Sequence, residues 1–192
     1  IGFMMAPRHH SATRHVAGPR VELATRTVFN ILGPLSNPAN VDRLLVGVFA
    51  REWVRPMAEV LGKLGARKAW VVHGSDGLDE LTTTGPTYVA ALEDGKVTEF
   101  EVSPADAGLP VAEPADLKGG DAEQNATAMK AMLAGESGPY RDVVVYTAAA
   151  ALIVAEKAKD LTEGAQIAAE AIDSGKARAA LENLARITNE GA

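Results

Sequence analysis

The segment LLVGVFAREWVRPMAEVLGKLGARKAWVVHG, residues 44–74, carries a β-α-β signature. LLVGVFA (44–50) is a short apolar run rich in β-forming residues, the pattern of a buried strand. Trp53, Met57, Val60, Leu61 and Leu64 then recur at helical spacing, and Gly65 ends the series. AWVVHG (69–74) is strand-like again. Strand, helix and strand in that order predict a layered α/β core.

Downstream, residues 87–102 predict a hairpin: TYVAAL and VTEFEV alternate apolar and polar residues around EDGK, and Asp94-Gly95 suits a two-residue turn. Set beside the β-α-β unit, the hairpin makes the expected central sheet a mixed one with flanking helices. The rest of the chain is expected to be mostly helical over 121–190. Asp121 or a neighbour should cap a helix through Leu133, with further helices near 139–158, 161–173 and 176–188. TAAAALIVAEKA (147–158) is apolar nearly all round, so its helix should be buried. Upstream, residues 1–18 read as irregular. A helix is expected from Pro19, with Leu23, Val28, Phe29, Ile31 and Leu32 as its apolar side and Gly33-Pro34 as its stop. Residues 1–192 are read together as one α/β domain.

Composition narrows the function. With 47% hydrophobic and 23% charged residues over 192 positions, the chain is globular and long enough to bury a core. Nineteen Lys and Arg against 25 Asp and Glu leave a net charge of −6, which argues against nucleic acid as a partner. The absence of cysteine excludes disulfides, thiolate metal sites and cysteine nucleophiles. No apolar run approaches the roughly 20 residues that span a bilayer, and IGFMMAPRHH lacks the basic and apolar regions of a signal peptide. A cytoplasmic protein with no membrane partner is the expectation. The sequence opens on Ile1, not methionine, and is expected to be a piece of a longer chain.

Two segments carry candidate chemistry. HGSDGLDELTTTG (73–85) lies where a strand ends, the place open α/β sheets put their ligands. Asp76, Asp79 and Glu80 can converge there on Mg²⁺, which takes one or two protein carboxylates and fills its shell with water and phosphate oxygens. The same run also fits a solvated acidic loop. In APRHHSATRHVAGPR (6–20), His9, His10 and His15 match no zinc spacing. Arg20, at the positive end of the expected helix, suits a carboxylate or phosphate, or else is one of several surface arginines with Arg14 and Arg26. Gly119-Gly120-Asp121 lacks the spacing of a nucleotide loop and reads as a turn and helix cap.

FMMAPRHHSATRHVAGPRVELATRTVFNILGPLSNPA (3–39), VVHGSDGLDELTTTGPT (71–87) and GGDAEQNA (119–126) together resemble the anthranilate phosphoribosyltransferases, over essentially the whole chain. The resemblance implies the larger α/β domain of that family, with its small N-terminal helical domain largely missing. It also implies transfer of phosphoribose from phosphoribosyl pyrophosphate to the amine of anthranilate, with release of pyrophosphate, Mg²⁺ assistance and a homodimer at full length. By the same resemblance Asp79 and Glu80 hold Mg²⁺, His10 lies beside the anthranilate tunnel and Arg20 meets anthranilate. Ala24 stands where relatives usually have glycine, and Thr147 where close ones often have asparagine; both changes are expected to affect packing only. The family's GTGGD phosphate loop is not in this sequence, so the chain alone is expected to be inactive. The alternatives are a pyrimidine nucleoside phosphorylase, which matches the HHSATRHVAGPR block poorly, and a non-catalytic relative that binds nucleic acid, which should be basic and lack the acidic pair.

Overall fold

The structure is a computed structural model that describes residues 2–5, 9, 17–25 and 27–190. Along the chain come helices α1 (Ala17–Leu23) and α2 (Phe29–Leu35), strand β1 (Arg43–Gly47), helix α3 (Val54–Lys63) and strand β2 (Lys68–Gly74). Strands β3 (Thr87–Glu93) and β4 (Lys96–Val102) follow, then helices α4 (Ala122–Leu133), α5 (Pro139–Val154), α6 (Leu161–Asp173) and α7 (Lys176–Asn189). The four strands form one sheet in chain order. β1 and β2 are parallel, with Gly47 opposite Val72, while β2, β3 and β4 are antiparallel neighbours. The mixed sheet expected from the sequence is present.

Alternation along β2 divides the core between two layers. Ala69 and Val71 face α3, where Val54, Met57, Ala58 and Leu61 cover them together with Ala90 and Leu92. Trp70 and Val72 face the other way, toward Tyr146, Ala149, Ala150 and Val154 of α5 and Leu161, Ala165, Ala168 and Ile172 of α6. Helices therefore cover both faces of the sheet. Each buried Val, Leu, Ile or Met in these layers contributes about 1.5–3 kcal/mol. α5 and α6 approach closely because residue 164 is glycine: a Cβ there would lie 2.8 Å from the Cα of Ala149.

Several local expectations hold. Asp94 (φ 45°) and Gly95 (φ 79°) both take the left-handed conformation that a tight hairpin turn demands. Asp121 caps α4 by accepting from the Gln124 amide at 2.9 Å, so Gly119-Gly120-Asp121 is a turn and cap as read. Asp160 caps α6 in the same manner.

The N-terminal expectation fails in its details. The helix expected from Pro19 through Leu32 is two short helices, broken at Ala24, whose φ of +48° no α-helix accommodates. Asn30 restarts the chain by accepting from the Thr27 amide at 2.8 Å. Pro34 does not stop a helix before it but sits inside the last turn of α2, which ends one residue later. Alanine at 24 therefore stands under backbone strain, an effect beyond packing alone. α5 also stops at Val154 and not near 158, because Glu156 is left-handed (φ +58°) and pairs with Arg43 at the start of β1. Val21, Leu23 and Val28 of the N-terminal segment stand 80%, 61% and 57% exposed, whereas Ile31 and Leu35 of α2 pack against the core on the α3 side of the sheet. No helix among the described residues is long and apolar enough to cross a membrane.

Candidate functional site

Because β1 and β2 are parallel, their carboxyl ends share one edge of the sheet, and residues 75–86 leave from that edge. The segment is closed at its base by two backbone hydrogen bonds, Gly74 N–H to Leu78 O at 2.8 Å and Ser75 N–H to Pro86 O at 2.9 Å. Asp79 and Glu80 lie at its exposed rim.

The three acids of this loop do not converge as a trio. Asp76 turns inward: its Oδ2 accepts from the hydroxyls of Thr82 at 2.6 Å and Thr84 at 2.7 Å, and its Oδ1 from the Leu78 amide at 3.1 Å. Desolvation pushes this carboxyl upward, but the hydrogen bonds from Thr82, Thr84, Leu78 and its own amide outweigh it, and Asp76 sits below its ordinary value of 3.8. Among the described residues no three His, Asp or Glu side chains gather as a metal cluster. What remains is the adjacent pair, Asp79 and Glu80. Glu80 is pushed upward, first by desolvation and then by the charge of Asp79. Two hard oxygen donors whose charges oppose each other fit a divalent cation, and a pair is as many carboxylates as Mg²⁺ usually takes.

A glycine fixes where that pair stands. A Cβ on Gly47, the last residue of β1, would lie 1.5 Å from the carbonyl oxygen of Asp79. The backbone of the acidic pair is therefore seated directly on the end of β1. Beside it, His73 is buried at the end of β2, and its Nδ1 donates to the Val48 carbonyl at 2.8 Å. Tyr88 stacks on His73 at 6.5 Å between ring centres, and the Arg51 guanidinium lies 3.7 Å above the Tyr88 ring.

The other site residues inferred from sequence are placed less fully. Arg20 lies within α1, one turn before the break at Ala24. His10 lies outside the described residues. Gly47, Thr82 and Thr84 escaped the sequence reading. The chain bends over residues 83–85, so no strand-like spacing marks the two threonines, and nothing local marks Gly47.

Residues 1–178 match the family model described as "Glycosyl transferase family, a/b domain". The chain is similar to the anthranilate phosphoribosyltransferase of Paramagnetospirillum magneticum, 64% identical over 189 residues, which cover 98% of this chain and 55% of that protein. Among solved structures it is similar to anthranilate phosphoribosyltransferase from Thermus thermophilus, with 44% identity and a TM-score of 0.88 over 95% of this chain and 54% of the other. It is also similar to the Saccharomyces cerevisiae enzyme in complex with PRPP and Mg, with 28% identity and a TM-score of 0.81 over 91% of this chain and 51% of the other. The chain spans about half the length of the curated relatives it matches.

Proposed function

The chain belongs to the glycosyl transferase family through that family's a/b domain, and on that premise we propose that it serves the transfer of phosphoribose from phosphoribosyl pyrophosphate to the amine of anthranilate, with release of pyrophosphate. The observation that carries this reading is the exposed Asp79-Glu80 pair, seated on Gly47 at the carboxyl edge of β1 and β2. Breaking the bond between ribose C1 and pyrophosphate builds negative charge on the leaving group. Mg²⁺, when bound, neutralises that charge. Asp79 and Glu80 hold the ion, and Arg20 and His10 serve the anthranilate side, the guanidinium as a two-pronged donor to a carboxylate. An aromatic amine needs no strong base to attack, which agrees with a site built from carboxylates and donors.

The test is the loss of anthranilate fluorescence on addition of phosphoribosyl pyrophosphate and Mg²⁺. It is run on this chain and on a protein of the relatives' full length that carries the sequence, with phosphorolysis of uridine as the competing activity. Consumption of anthranilate by the longer protein, with none of uridine, is expected. Turnover of uridine alone would sink the assignment.

A further inference from the structure

Asp76, Asp79 and Glu80 look equivalent in sequence, and the fold separates them. The donors that other residues supply to Asp76 all come from its own loop, and the two hydroxyl contacts, at 2.6 and 2.7 Å, are in the range of charge-assisted bonds. The donor count is tight. Thr82 has one hydroxyl proton, given to Asp76, and accepts from the Thr84 amide at 3.1 Å; the one hydroxyl proton of Thr84 also goes to Asp76. Both protons are spent on Oδ2 while Oδ1 accepts from the Leu78 amide, so a side chain with only one acceptor oxygen cannot satisfy the set equally well. The backbone has been cleared for this arrangement, since a Cβ on Gly74 would lie 2.6 Å from Asp76 Oδ1 and 3.0 Å from Thr82 Cγ2. Thr82 is fully buried and its amide is tied to the Thr87 hydroxyl at 3.0 Å, which anchors the clasp to β3. Residues 77–81, with the acidic pair among them, are the arc between the two ends of this clasp.

We propose that Asp76 is a positioning residue: with Thr82 and Thr84 it clamps the arc that presents Asp79 and Glu80, and it touches neither metal nor substrate itself. The proposal rests on the reading above that Asp79 and Glu80 hold the metal. It assigns the three acids two different tasks, one clamp and two ligands.

Two measurements on the whole chain separate the clamp from the metal reading: Mn²⁺ affinity, from the electron paramagnetic resonance signal of the free ion, and amide hydrogen exchange over residues 77–81. Asp76→Asn and Thr84→Val should each weaken Mn²⁺ binding by about tenfold, the usual loss when a group that orients a metal ligand is removed. Each should also speed exchange in the arc. Thr84→Ser, which keeps the hydroxyl, should behave as the parent in both. The Asp79→Asn, Glu80→Gln double variant should abolish Mn²⁺ binding while leaving exchange at the clasp slow. If Asp76→Asn abolishes Mn²⁺ binding with exchange unchanged, Asp76 is a ligand and the proposal is overturned. Parent-like affinity and exchange in both Asp76→Asn and Thr84→Val overturn it as well. A parent chain that binds no Mn²⁺ defeats the metal reading instead; exchange then decides the clamp, faster in Asp76→Asn and Thr84→Val if it exists, unchanged if it does not.

Discussion

Gly47→Ala is the sharpest perturbation the structure offers. The added methyl would lie 1.5 Å from the Asp79 oxygen, 2.5 Å from its carbonyl carbon and 3.2 Å from its Cα. These are backbone atoms, so no rotamer change relieves the clash, and a normal contact near 3 Å requires the two segments to part by about 1.5 Å. Gly47 is held in register opposite Val72, so the acidic loop is what must move. Overpacking of this kind costs about 1–3 kcal/mol, against which alanine in a strand recovers about 0.5–1 kcal/mol of backbone entropy relative to glycine. A net loss of about 1–2 kcal/mol lowers Tm by about 2–8 °C for a chain of this size. A displacement beyond 1 Å at a reacting centre costs on the order of 10²-fold in rate. Mg²⁺-dependent turnover, assayed in a protein of the relatives' length, should therefore fall far more than stability does. Gly62→Ala is the control: its Cβ meets only the movable end of Leu92 at 3.0 Å inside α3, where alanine gains about 1 kcal/mol over glycine. If Gly47→Ala matches the parent in Tm and in Mg²⁺ dependence, the seat of Asp79 on β1 is not what positions the pair.

The remaining predictions are independent of that one. Ala24→Gly should raise Tm, since relieving a left-handed alanine is worth about 1 kcal/mol; an unchanged or lower Tm in thermal unfolding would contradict the strain at φ +48°. Asp79→Asn with Glu80→Gln should cut turnover on the order of 10²-fold and raise the Mg²⁺ requirement, and normal kinetics in the double variant would remove the pair from the site. Arg20→Ala should raise the apparent KM for anthranilate about ten- to a hundredfold while sparing that for phosphoribosyl pyrophosphate; equal damage to both points to misfolding. The folded-state value of Asp76 is depressed, so its stabilisation is complete above its ordinary value of 3.8 and is lost as pH falls through the lower folded value. The stability gap between the parent and Asp76→Asn in urea unfolding should accordingly narrow below about pH 3.8, and a gap that stays constant would show that the ionised clasp contributes nothing.

The elements legible in the sequence were those whose cause is local. Asp94-Gly95 announces its turn because few other dipeptides accept two left-handed residues in a row, and Asp121 announces α4 because its side chain accepts from the amide three residues on. Strand β2 was legible because it is buried on both faces and so reads as a continuous apolar run. The breaks were not legible. Ala24 has no intrinsic preference for φ +48°, and only the surrounding chain imposes it. The candidate site divides in the same way. An acidic run at a strand end is visible in one dimension, but which acid is turned inward depends on Thr82 and Thr84 folding back onto Asp76. That Gly47 lies beneath Asp79 depends on a contact between residues 32 positions apart, for which no local pattern exists.

The strand order repeats the chain order, and this bears on how the molecule assembles. Every strand pairs with its predecessor, so residues 43–102 form their ladders through short excursions of the backbone, whereas the face covered by α5 and α6 waits for segments that arrive much later. Loop-closure entropy is smallest within the antiparallel meander β2–β3–β4, which makes it the natural nucleus of folding. Substitutions such as Val71→Ala should slow refolding, while Ala168→Gly should chiefly hasten unfolding, a contrast that stopped-flow measurements resolve. The connection that carries Asp79 and Glu80 lies inside the meander, so the acidic pair takes its place while the chain is still finding its last helices.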